Sequence, residues 1–148
     1  MTDSSFKDAH GRSVVAADSA ETLGEVKALI VDASASRVDG IHVAGGGRSA
    51  TIIPWSSVRS FGADAVIADA ADALQPVTDE RETQAVKGKL AALGSRVLTT
   101  SGFSMGTTED VFFDAATGNL TEVLTEQGTI EASRIRSLGS YALIVEPD

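Results

Sequence analysis

One frame is written twice in this chain. "IPWSSVRSFGADAVIA", from Ile53 to Ala68, lies over "IEASRIRSLGSYALIV", from Ile130 to Val145. Extended backwards, Gly24 meets Gly106, Asp32 meets Asp114, Val38 meets Leu120 and Ile41 meets Val123, all at an offset of 82. By Phe61-Gly62 over Leu138-Gly139 the offset is 77, and the five residues lost fall where the first copy reads "AGGGRSA". A change of length at a Gly-rich point is what a hairpin loop tolerates. A repeat of this kind restricts the chain to architectures assembled from one supersecondary unit used twice.

Within each copy the texture is β. Val, Ile, Phe and Thr cluster in short runs such as "VKALIVD" and "EDVFFD", each followed by a polar turn and another run. Five strands per copy are expected, near 13–17, 25–32, 38–44, 49–53 and 65–69, then near 96–100, 107–114, 120–125, 128–132 and 141–145. "SSVRSFG" and "SRIRSLG" read as single helical turns closed by Gly62 and Gly139 in a left-handed conformation. Asp32 and Asp114 head their turns, where a carboxylate accepts from backbone N–H groups two residues on. Short antiparallel strands with tight turns suggest a small barrel, because closure removes exposed edges.

Between the copies, "PVTDERETQAVKGKLAALG" (Pro76–Gly94) has a different period. Asp79 with Glu82 resembles a capping box, and Val86, Leu90 and Leu93 share one helical face ahead of Gly94. The expected division is a first repeat over 1–73, a helical linker over 74–93 and a second repeat over 94–148. A unit of about 60 residues is marginal alone. The copies are therefore expected to pack together, through the unalternating runs "KALIV" and "DVFF" and the apolar face of the linker.

These residues resemble a known family. "LGEVKALIVD", "VDGIHV" and "IIPWSSVRSFGADAVI" follow the order of the PRC-barrel domain, with Gly24, Asp32, Pro54, Trp55 and Gly62 as its fixed points. "MGTTEDVFFDAATGNLTEV" and "IEASRIRSLGSYALIV" keep Gly106, Asp114 and Gly139, but carry Glu131-Ala132 where the first copy has Pro54-Trp55. The resemblance covers nearly everything except the first ten residues and the linker. It implies an all-β, tandem PRC-barrel protein: two small barrels of about five strands each, joined by a short helix. The family includes the cytoplasmic part of the H subunit of photosynthetic reaction centres, the C-terminal domain of a ribosome maturation factor, and small stand-alone proteins. What these suggest in common is a surface that binds another protein, with no general catalytic motif. The chain lacks the H subunit's membrane helix and the ribosome factor's N-terminal domain, so neither specific role carries over.

The remaining candidates each lack part of their context. "GFSMG" (Gly102–Gly106) matches the spacing of a nucleophile elbow, but no His follows His42 and a strand rather than a helix comes next. His10 and His42 are the only histidines and there is no cysteine, so neither a metal site nor a cofactor is expected. Gly45, Gly46, Gly47 and Arg48 form a hairpin loop without the Lys-Ser/Thr of a phosphate-binding loop, and are the candidate partner-binding loop. Trp55 behind Pro54 is expected to fill a barrel core. Arg12, Arg37, Arg48, Arg59, Arg96, Arg134 and Arg136 are scattered among acids, and the net charge of −9 disfavours nucleic acid. No apolar run spans a bilayer and "MTDSSFKDAHG" carries no signal core, which makes a cytoplasmic location the expectation. The expected role is a non-enzymatic adaptor with a protein partner. A ribosome- or RNA-associated assembly factor and a small-molecule or anion binder between the barrels stand as alternatives, and a homodimer through a strand edge stays open.

Overall fold

The computed structural model describes residues 4–45 and 51–147. In chain order the first half carries β1 (Ser4–Ser5), α1 (Phe6–Ala9), β2 (Ser13–Ala16), β3 (Thr22–Asp32), β4 (Arg37–Ala44), β5 (Ile52–Pro54), β6 (Val58–Phe61) and β7 (Ala65–Ala68). Then come α2 (Glu80–Val86), β8 (Arg96–Thr99), β9 (Ser104–Phe113), β10 (Leu120–Thr125), β11 (Gly128–Glu131), β12 (Ile135–Leu138) and β13 (Leu143–Val145). The protein is mainly β, in two sheets whose strand orders are β5-β4-β3-β2-β7-β6 and β11-β10-β9-β8-β13-β12. The terminal strands of each order are consecutive in the chain. Six strands laid flat separate the outer two by about 24 Å. The few residues from β5 to β6 reach about 14 Å at most, so each sheet must roll back on itself.

The repeat holds at the level of single hydrogen-bonded pairs. Val14 pairs with Gly24 as Val97 pairs with Gly106, and Leu29 with Ile41 as Val111 with Val123. Ile41 pairs with Ile53 as Val123 with Ile130, and Phe61 with Val66 as Leu138 with Leu143. Gly24 takes φ +144, and a Cβ there would lie 2.4 Å from the Ala44 carbonyl oxygen, so only glycine lets β3 pass β4 at this point.

Four expectations change. Each repeat has six strands rather than five, β1 standing outside it, because "VRSF" and "IRSL" are strands and the one-turn 3₁₀ helices sit earlier, at Trp55–Ser57 and Ala132–Arg134. Gly62 and Gly139 take no positive φ; each donates its N–H across a tight turn, to Ala65 and Ala142. The sheets are not wholly antiparallel, since β2 runs parallel to β7 and β8 to β13. The linker helix is also shorter than its apolar spacing suggests. Asp79 caps it by accepting from the Glu82 N–H at 2.7 Å, but it ends at Val86, before Gly88 at φ +80.

The two halves share one hydrophobic core. Phe113, fully buried, meets Phe6, Phe61 and Trp55 at ring separations of 5.5, 5.2 and 6.1 Å. Of the linker, Ala92 is in this core and Leu93 packs on it, whereas Val86 and Leu90 are only half-buried. The N-terminus crosses to the far sheet: β1 pairs with β9, and Asp110 accepts from the Ser5 hydroxyl at 2.6 Å and the Lys7 N–H at 3.2 Å. The seam itself is reciprocal. Val38 N–H donates to the Gly118 carbonyl at 2.7 Å and Leu120 N–H to the Ser36 carbonyl at 2.9 Å, around an Arg37–Asn119 bridge. Ser36 and Gly118, equivalent in the repeat, both take positive φ, +52 and +81. The halves thus face each other across a local two-fold.

Candidate functional site

Pro54 fixes the chain at φ −62 and starts the 3₁₀ turn that carries Trp55. The indole does not fill a barrel interior. It lies at the seam, half-buried, against Phe61 of its own half and Phe113 of the other. Gly118 supplies the floor: a Cβ there would sit 2.8 Å from the indole Nε1. Beside the ring opens a groove of about 460 Å³, lined by Trp55, Val58, Arg59 and Phe61 from the first half and by Ala115 and Ala116 from the second. Arg59 reaches Asp69 at 3.2 Å, with both side chains about half exposed. Such a pair is weak, so the guanidinium is available to an incoming carboxylate. The repeat places Ala132 where Trp55 stands, so the groove's symmetry mate has no aromatic wall.

A second hollow of about 180 Å³ lies between β3 and the end of the linker, lined by Phe6, Val26, Leu29 and Leu93, with exposed His10 and Lys27 among its walls. It is small and apolar, with little polar chemistry to orient a ligand.

The other sequence candidates fall as follows. Ser104 opens β9, and its hydroxyl accepts from the Gly106 N–H at 3.2 Å. A strand follows it, so the strand–turn–helix of a nucleophile elbow is absent here. His42 is buried in β4; burial, and then the Lys27 charge, hold its imidazole below the usual histidine range. Among the described residues no three His, Asp or Glu side chains cluster as metal ligands. Asp114 accepts from the Ala116 N–H at 2.8 Å, and Asp32 from the Ser34 hydroxyl at 2.7 Å and the Ala35 N–H at 3.3 Å, which makes both turn-formers. The Ser34 hydroxyl is the chief reason the Asp32 carboxyl titrates below its ordinary value.

The arginines do not converge. Arg12 lies over Phe61 and donates to the Gly62 carbonyl, Arg37 reaches the Thr117 carbonyl, Arg96 stacks on Tyr141, and Arg134 donates to the Glu146 carbonyl. Gly45 ends β4 at φ +84, while Gly46, Gly47 and Arg48 lie outside the described residues. Sequence reasoning missed Phe61, Ala115 and Ala116 as parts of one groove, and Phe113 as the core ring behind Trp55. Their only signal was the double Phe of β9 at a place where the first copy has Ile30-Val31.

Two rolled, repeated β-sheets joined across a reciprocal seam, with a Trp-walled groove beside it, define a mainly β, barrel-type fold as the class of protein. Residues 1–75 match the PRC-barrel domain, and the chain belongs to that family. The match covers the first half and ends at the start of the linker. No curated protein is similar enough in sequence to count as a relative. No helix among the described residues is long and apolar enough to cross a membrane.

Proposed function

We propose that the chain is a non-enzymatic, protein-binding scaffold built from two PRC-barrel repeats, the second being residues 94–148, with the Trp55 groove as its partner site. The observation that carries this reading is the half-exposed Trp55 beside a weakly held Arg59 in a groove made by both halves. Aromatic and arginine side chains in a preformed hollow are the usual anchors of protein recognition. The repeat in strand order and register supports the second barrel. The partner expected is an acidic segment carrying an apolar residue for the indole wall.

The test is affinity capture from native lysate with the full-length protein, with and without nuclease, alongside Ala116→Trp, which fills the groove, and Arg59→Glu. A stoichiometric, nuclease-resistant partner lost with both variants supports the proposal. Ribosomal proteins that disappear on nuclease treatment would replace it with the assembly-factor reading. A partner unaffected by either variant would remove the groove from the account. No partner, together with a rise in melting temperature in small molecules or anions, would favour a ligand-binding role.

A further inference from the structure

The repeat shows what the open edge of the second sheet is shaped to hold. In the first half the outer edge of β5 is covered. Thr51 and Ile52 donate their N–H groups to the Gln75 carbonyl at 3.0 and 2.9 Å, and Gln75 N–H donates to the Ile52 carbonyl at 2.7 Å. Leu74, beside Gln75, is buried in the core. Pro54, with no N–H, stops this pairing from extending.

In the second half Thr129 stands where Ile52 does and Glu131 where Pro54 does, and the inner pairing is the same, Val123 with Ile130 as Ile41 with Ile53. Thr129 therefore presents both backbone groups outward, and Glu131 adds the N–H that Pro54 cannot offer. Among the described residues no backbone group bonds to either on that side. The edge is exposed at Gly128, Thr129 and Glu131, a template for strand addition. Glu131 also lies directly opposite Glu122, both exposed, and neither forms an ion pair among the described residues. Like charges directly opposed on a sheet are unfavourable until a cation joins them. Two copies pairing edge to edge would gather four such carboxylates, which argues against self-association.

We infer that β11 accepts an extended basic segment of another protein as an added antiparallel strand. Its Lys or Arg lies opposite Glu131, its apolar residue lies opposite Ile130 in the manner of Leu74, and its backbone bonds to Thr129. This surface is distinct from the Trp55 groove, so either can fail without the other.

The probe is the acetylated, amidated peptide Thr-Lys-Val-Lys-Leu-Gln-Thr, titrated into the full-length protein with amide chemical shifts and calorimetry as readouts. Shifts centred on residues 128–131 are expected. Replacing both peptide Lys by Glu should weaken binding about tenfold or more. N-methylation of the peptide at Gln, and Thr129→Pro in the protein, should each weaken it by about tenfold or more. The peptide modification leaves the protein's own folding untouched. Shifts elsewhere, equal binding of the Glu peptide or of the N-methylated peptide, or concentration-dependent pairing of the full chain through this edge would each overturn the inference.

Discussion

Phe113→Ala probes whether the halves are one folding unit. Phe113 is fully buried and meets three rings, two of which, Phe61 and Trp55, come from the barrel of the other half and the third, Phe6, from the N-terminal helix. Truncating a buried Phe to Ala costs about 3–5 kcal/mol. The upper part of that range applies, because packing on several sides leaves the hole little room to collapse. For a domain of this size the expected fall in melting temperature is about 10 °C. The assay is urea unfolding followed by two signals. Fluorescence of Trp55, the single tryptophan, reports the first half, and far-ultraviolet circular dichroism reports both. Each should show one transition at the same midpoint, shifted equally by the substitution. A tryptophan midpoint that stays at the wild-type value while the dichroism moves, or a loss below about 1 kcal/mol, would refute a shared core.

Other outcomes are expected. Gly24→Ala should cost about 2 kcal/mol or more, since its Cβ meets backbone at a positive φ. Gly11→Ala, at φ +85 with open space around it, should cost about 1 kcal/mol by the same denaturation measurement. Asp39→Asn removes the half-exposed pair with Arg81 and should cost less than about 1 kcal/mol, the loss shrinking further in high salt. His42 titrates lower in the folded protein than its ordinary 6.5, so below that pH the unfolded chain binds a proton the folded chain refuses. Stability from this source is complete above 6.5 and falls as the pH drops toward the folded value; His42→Gln should flatten that part of a stability–pH curve.

The repeat alignment read from glycines, aspartates and apolar runs carried directly into ladder register, because register follows the apolar pattern and that pattern was written twice. β6 and β12 were hidden because Arg-Ser occupies their middles and both are exposed there, leaving no alternation to see. The parallel pairing of β2 with β7 depends on how the sheet rolls, which no local window contains. β1 was invisible for a similar reason: its anchor, Asp110, is 105 residues from Ser5. The spacing of Val86, Leu90 and Leu93 predicts a longer linker helix than the one that forms, because the backbone breaks at Gly88. The groove was half legible. Pro54-Trp55 drew notice, but its far wall of small residues bears no signal until the seam is known.

The reciprocal bonds between Ser36–Val38 and Gly118–Leu120 are of the kind two identical subunits exchange about a dyad. Joining such subunits in one chain replaces mass action with a tether whose effective concentration is on the order of millimolar. Dilution can then no longer separate them. It also frees them from identity: in a true dimer any change appears at both faces, whereas here Trp55 faces Gly118 while its equivalent, Ala132, accepts a hydrogen bond from Ser36. Covalent pairing lets one fold present two unlike faces in fixed one-to-one proportion.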